Sequence, residues 1–146
     1  FALIELKDIA EEYPGENAGY MAELYIAAEL FSNGTFDEAD SHLNSISGKF
    51  EVDVLNANIY GMRADIALSK GDLDEAIIFY NKAMKTCGLS NYKIKFNIGK
   101  LYALQAKGEH RKVVEIADGL LDEENISSVA RNNVEELKAY SQHFTM

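Results

Sequence analysis

Histidine, cysteine and clustered carboxylates are the side chains most able to do acid–base, nucleophilic or metal chemistry near neutral pH, and this chain spaces them so that none cooperate. His42, His110 and His143 stand far apart, and none has an acid or nucleophile placed to share one helical face with it. Each reads as a surface or packing histidine. Cys87 has no second cysteine for a disulfide and no Cys or His at metal-ligand spacing, so it reads as a small buried hydrophobe near a helix end. Asp122-Glu123-Glu124 and Glu11-Glu12 lack the alternating oxygen ligands and central glycine of a calcium loop, and read as solvated helix ends. There is no Gly-rich phosphate loop, Gly-x-Ser-x-Gly elbow or Cys-x-x-Cys pair. The expectation is a protein that is not an enzyme and takes no cofactor and no metal.

Charge says more about partners. A formal net charge of −10 over 146 residues argues against general nucleic-acid binding, which needs a basic footprint to displace counterions. The charge is also polarised. Residues 1–48 carry ten acids against the single base Lys7, whereas residues 82–112 carry eight bases against the single acid Glu109. Within the basic stretch Lys93, Lys100 and Lys107 recur every seven residues, near one side of a helix. Such a stripe is ordinarily a solvated face, and its sharper reading is a docking strip for an acidic segment.

The elements that must position these residues are helices. An apolar fraction of 47% is enough to bury a continuous core, and one Pro and ten Gly against eight Tyr and four Met favour helix over turn-rich β structure. The longest run without a charge, residues 54–62, is far short of the roughly 18 residues a membrane span needs. The chain starts at Phe1 inside what reads as a helix, without an initiator Met or secretory signal pattern, so a longer parent carrying any tether or signal upstream is expected.

The strongest signal is internal repetition. Gly34, Gly71 and Gly108 are spaced by 37 residues, each between two helical stretches, where a tight turn with positive φ requires glycine. Thr35-Phe36-Asp37-Glu38 and Asp72-Leu73-Asp74-Glu75 place a capping oxygen three residues before a Glu, which predicts capping boxes. Behind them Phe36, Ala39, Leu43 and Ile46, then Leu73, Ala76, Tyr80 and Ala83, are spaced as one buried helical stripe. The third unit departs, with His110 and Val113 where the second has Leu73 and Ala76. Eight helices are predicted, at about residues 1–13, 17–32, 36–46, 51–70, 73–86, 90–107, 109–121 and 127–143. The last, with Val134, Leu137, Tyr140 and Phe144 as its apolar side, reads as a capping helix. At the other end Phe1, Leu3, Ile4 and Leu6 are expected to expose an apolar patch.

Residues 67–84, through Gly71, Asp74-Glu75-Ala76, Tyr80 and Ala83, resemble the turn and second helix of the tetratricopeptide signature. Tyr60 and Ala64 fall where that motif has its large aromatic and small residue, and Glu12-Tyr13-Pro14 resembles the end of a preceding unit. The resemblance implies an all-α, right-handed superhelix of antiparallel helix pairs forming one domain over residues 1–146. Its units would be residues 1–16 in part, 17–50, 51–89 and 90–124, with a cap at 125–146.

Mapping the motif onto this chain by its glycines implies a groove for a protein or peptide partner. It would be lined by Leu24, Ala28 and Phe31, then Asn58, Asp65 and Leu68, then Lys95, Ile98, Tyr102 and Gln105. The carboxylate clamp of the chaperone-tail-binding members is not expected, because its Asn column reads Ala28, Asp65 and Tyr102. Arg63-Ala64-Asp65 followed by Gly71-Asp72 is similar to a pattern in bacterial membrane-tethered periplasmic members that accompany the Sec translocon. That implies a periplasmic domain whose own segment does not insert into the membrane, and a cytoplasmic home also fits the residues. Two further readings stay open: a self-association module forming a homodimer, and a regulatory domain of a larger enzyme or sensor.

Overall fold

The computed structural model describes residues 2–145, and among them it contains eight helices and no strand. These are α1 (Ala2–Glu12), α2 (Asn17–Ser32), α3 (Phe36–Ile46), α4 (Asp53–Lys70), α5 (Leu73–Thr86), α6 (Ser90–Ala106), α7 (His110–Leu121) and α8 (Ser128–His143). No boundary departs from the sequence expectation by more than two residues. Phe1, part of the expected N-terminal patch, lies outside the described residues.

Three turns share one backbone solution. Gly34, Gly71 and Gly108 have φ of 78, 80 and 81°. Each glycine N–H donates to the carbonyl three residues back (Phe31, Leu68 and Gln105, 3.0–3.1 Å), and the next N–H reaches five residues back (Leu30, Ala67 and Leu104, 2.8–2.9 Å). This paired bonding satisfies carbonyls that a helix end would otherwise leave open, and it needs a left-handed residue that only glycine supplies without strain.

The predicted capping boxes do not form. Thr35 and Asp72 precede α3 and α5, but neither side chain accepts a helix N–H. Their backbones sit near ψ of 70°, held there by the turn bond to the preceding helix, rather than in the extended conformation an N-cap adopts. Glu109 before α7 has the same geometry, so the third turn matches the other two despite its altered residues.

Consecutive helices pack as antiparallel pairs, α1 with α2, α2 with α3, α4 with α5, α5 with α6 and α7 with α8. Of the predicted stripes, Ala39, Leu43 and Ile46 and then Ala76, Tyr80 and Ala83 are buried while Phe36 and Leu73 are half-buried, and Ala39, Ala76 and Val113 are fully enclosed in equivalent places. Val113 thus fills the alanine slot without breaking the pattern. The buried residues form three clusters along the chain. One is centred on Ile26, Leu43 and Ile59, one on Tyr60, Tyr80 and Phe96, and one on Leu101, Val113 and Val134. The buried side chain of Asn56 on α4 satisfies the backbone of Phe50 in the α3–α4 connection. Its Nδ2 donates to the Phe50 carbonyl (2.7 Å) while its Oδ1 accepts from the Phe50 N–H (3.1 Å).

Both ends need correction. On α8 the buried stripe is Val134, Leu137 and Ser141, whereas Tyr140 and Phe144 are 55% and 54% exposed. Those two rings gather at the edge with His110, which stacks on Phe144 at 4.3 Å. Among the described residues of the expected α1 patch only Ile4 stands out, because Leu3 and Leu6 pack partly against the N-terminal cluster.

Two helical glycines test this packing in opposite directions. A Cβ on Gly99 would lie 2.5 Å from Tyr80 Cε1, whereas one on Gly119 would meet nothing. Gly99→Ala is expected to destabilise the fold by about 1–3 kcal/mol through overpacking. Gly119→Ala should stabilise it by up to about 1 kcal/mol through helix propensity. Urea denaturation of both variants checks the pair.

Candidate partner-binding surface

Helix α4 offers Asn58 and Asp65 two turns apart, and α6 offers Lys95 and Tyr102 at the same places in the next unit, 37 residues on. The fold brings three of these together. Lys95 Nζ donates to Asn58 Oδ1 at 3.2 Å, and Asp65 lies close enough to feel the Lys95 charge. Behind them the Tyr80 hydroxyl, rising from α5, donates to Asp65 Oδ1. Burial pushes the Asp65 carboxyl above its ordinary range, and the Tyr80 bond and Lys95 only partly offset it. Burial likewise raises the Tyr80 phenol, with Asp65 adding to the effect, which favours the tyrosine as the donor to Asp65.

These groups border a hollow of about 290 Å³ between α4 and α6. Met62 and Phe96 give it an apolar wall, and Gly61 and Gly99 form the rest. Neither glycine has room for a side chain, since a Cβ on Gly61 would sit 2.5 Å from Phe96 Cε1. The glycines therefore let a neighbouring ring lie across the helix backbone, which shapes the hollow. Sequence reasoning missed Gly61, Met62, Tyr80, Phe96 and Gly99 as parts of one site. The available signal was two glycines inside helices, where each costs about 1 kcal/mol against alanine and so asks for a packing reason.

The other groove residues predicted from sequence differ in exposure and in the contacts they make. Leu24 and Phe31 pack partly against the N-terminal cluster, Leu68 against the middle one and Ile98 against the C-terminal one. Ala28 is half-buried on α2, and its carbonyl accepts from Ser32 Oγ. Tyr102 is 45% exposed on α6. Gln105 turns to α8, where its amide donates to the Leu137 carbonyl and Ser141 Oγ, both at 3.4 Å.

The lysine strip is not uniform either. Lys93 is exposed, and Lys107 is bonded to Asp74 with Glu109 at 3.7 Å. Lys100 is half-buried, its pKa lowered first by burial and then by Lys112.

Through-space pairs lay beyond sequence spacing, among them His42 on α3 with the Glu23 carboxylate on α2. Among the described residues no three His, Cys, Asp or Glu side chains gather as a metal site would require, and no helix is long and apolar enough to cross a membrane.

The raised Asp65 carboxyl has a consequence for stability. A carboxyl raised by folding favours the folded state at low pH, and that contribution is lost as pH climbs through its folded pKa. Asp65→Asn keeps an acceptor for Tyr80 and removes the half-buried charge. It should therefore be more stable than the parent at pH 7 and lose that advantage below the ordinary carboxylate range, as thermal melts across pH 3–8 would report.

A family model described as a tetratricopeptide repeat matches residues 57–87, which span most of α4, the Gly71 turn and α5. No curated protein matches the chain. The match over that stretch and the antiparallel helix pairing along the chain agree, and the fold is a tetratricopeptide-like array of helix pairs.

Proposed function

We propose that this chain is a non-catalytic scaffold that holds a segment of another protein, extended or helical, against the face formed by α2, α4 and α6. The observation that carries the reading is the hollow where Asp65 and Lys95 stand beside the Met62 and Phe96 wall. Tyr102, 45% exposed on the same face, and the partly buried Met62 offer a bound segment apolar contact, and two opposite charges at fixed positions set its register and direction. Leu24, Ala28 and Phe31 extend this surface along α2, Asn58 and Leu68 along α4, and Ile98, Tyr102 and Gln105 along α6. The match of residues 57–87 to a tetratricopeptide model supports the reading, because stacked helix pairs present extended surfaces suited to polypeptide ligands.

The Arg63-Ala64-Asp65 and Gly71-Asp72 pattern supports a narrower reading, a periplasmic domain of a membrane-tethered bacterial parent that handles exported proteins. Cell fractionation of the parent tests that location. A homodimer through the ends is the second reading, favoured by Ile4 at 66% and Phe144 at 54% exposure. Sedimentation over a concentration series separates it from a monomeric scaffold.

The decisive test of the binding face is crosslinking of the intact protein in its native cells, followed by identification of what is captured. Lys95→Ala and Tyr102→Ala should each reduce capture by about fivefold or more, as truncating a contributing interface side chain does. Capture unchanged by both substitutions would mean that the binding face lies elsewhere.

A further inference from the structure

The 37-residue register lets the molecule serve as its own reference. On the side formed by α3, α5 and α7, two successive grooves can be compared position by position. In the first, between α3 and α5, Arg63 of α4 is the floor. Its guanidinium donates to Asp40 through Nε (2.8 Å) and Nη2 (3.3 Å), and to Asn44 and Ser47 through Nη1. It also lies over the Phe79 ring at 4.5 Å. The groove is closed by these contacts, leaving about 20 Å³.

In the second groove, between α5 and α7, every position has its counterpart 37 residues on. Lys100 stands for Arg63, Asn81 for Asn44 and Ile116 for Phe79. The Asp37–Lys70 pair at the groove mouth recurs as Asp74–Lys107. Three substitutions change the outcome: Ile77 stands where Asp40 would be, Met84 where Ser47 would be and Lys112 where Glu75 would be. Lys100 is therefore a half-buried cation whose internal carboxylate is missing. Among the described residues nothing replaces it. Asp74 is held by Lys107, Glu109 by Lys107 and Lys112, and Glu115 on the α7 wall forms no ion pair with Lys100. The groove stays open, at about 590 Å³, walled by the apolar side chains of Ile77, Ile78 and Ile116 over Leu104. Ile78 is 63% exposed there.

We propose that the open groove between α5 and α7 docks an acidic segment of another protein, whose Asp or Glu side chain takes at Lys100 the place Asp40 takes at Arg63. The isoleucine walls require apolar neighbours on the same segment, which excludes a bare inorganic anion as the fitting occupant. A half-buried ammonium without a counter-charge is strongly improved by gaining one, since its desolvation has already been incurred by folding. The net charge of −10 repels acidic ligands from most of the remaining surface, so the site would stand out against it. The site is separate from the Asp65 hollow and does not depend on it.

The test uses the full chain and a fluorescein-labelled amphipathic peptide of Leu, Ala and Glu, beside an otherwise identical peptide with Gln for Glu. By fluorescence anisotropy the Glu peptide should bind about tenfold or more tighter than the Gln peptide, the discrimination expected of a charge-assisted contact. Lys100→Gln should remove that discrimination. Ile77→Asp, which restores the internal carboxylate, should weaken the Glu peptide by a similar factor. Should Ile77→Asp fail to fold, the Lys100→Gln comparison decides alone. Amide shift changes on titration should map to α5, α6 and α7 around Ile77, Lys100 and Ile116. Equal affinity for the two peptides, or shifts centred on the Asp65 hollow, overturns the proposal. So does concentration-dependent self-association abolished by Lys100→Gln, which would make a second copy of the chain the occupant.

Discussion

A left-handed glycine tied by two backbone hydrogen bonds, recurring at a fixed interval, is the constraint from which the rest of this molecule follows. The turn sets the angle and offset at which each helix returns along its predecessor, and the same turn at Gly34, Gly71 and Gly108 makes residues 37 apart structurally equivalent. Equivalent residues then meet equivalent surroundings. Ala39, Ala76 and Val113 occupy one kind of enclosed slot, and Asp37–Lys70 and Asp74–Lys107 form one kind of surface rung. A difference between units is therefore informative, because the backbone around it is held constant.

The two long faces use charge differently. On the side of α3 and α5, Arg63 gives up water and receives a planar carboxylate, two polar oxygens and an aromatic ring in return, which is how a guanidinium is best accommodated. On the side of α4 and α6, Asp65 receives one hydroxyl and a nearby ammonium, and burial still dominates its titration. Burial there works against the charged form of the carboxyl. Local choices that work against the fold, where the rest of the sequence supports it, are characteristic of places kept for function.

Element boundaries were legible because they rest on local chemistry. Glycine turns, acidic first turns and alternating apolar stripes act within a few residues, and they located all eight helices of the described chain closely. What was not legible depends on helix rotation and crossing. The apolar spacing on α8 allowed Tyr140 and Phe144 inward, but the helix turns Ser141 inward and leaves those rings with His110 at the edge. Gln105 was read as a groove residue, and its amide reaches across to α8, a contact that spacing along the chain does not show. Partners such as Glu23 with His42, or Asp40 with Arg63, lie 19 and 23 residues apart, and only the packed structure joins them. The capping boxes failed for a related reason, since the sequence offered the right side chains while the preceding turn had already fixed the backbone.

Helix α1 contains no buried residue, whereas α4 feeds two core clusters at once, with Ile59 and Ile66 on one and Tyr60 and Ala64 on the other. In a linear array each element is steadied only by those beside it, so protection against opening is graded along the chain. Amide exchange would be fast along α1 and slow in α4, whose two-sided burial acts as a keel. Opening of α1 can thus proceed while the central helices, and whatever they carry, keep their shape.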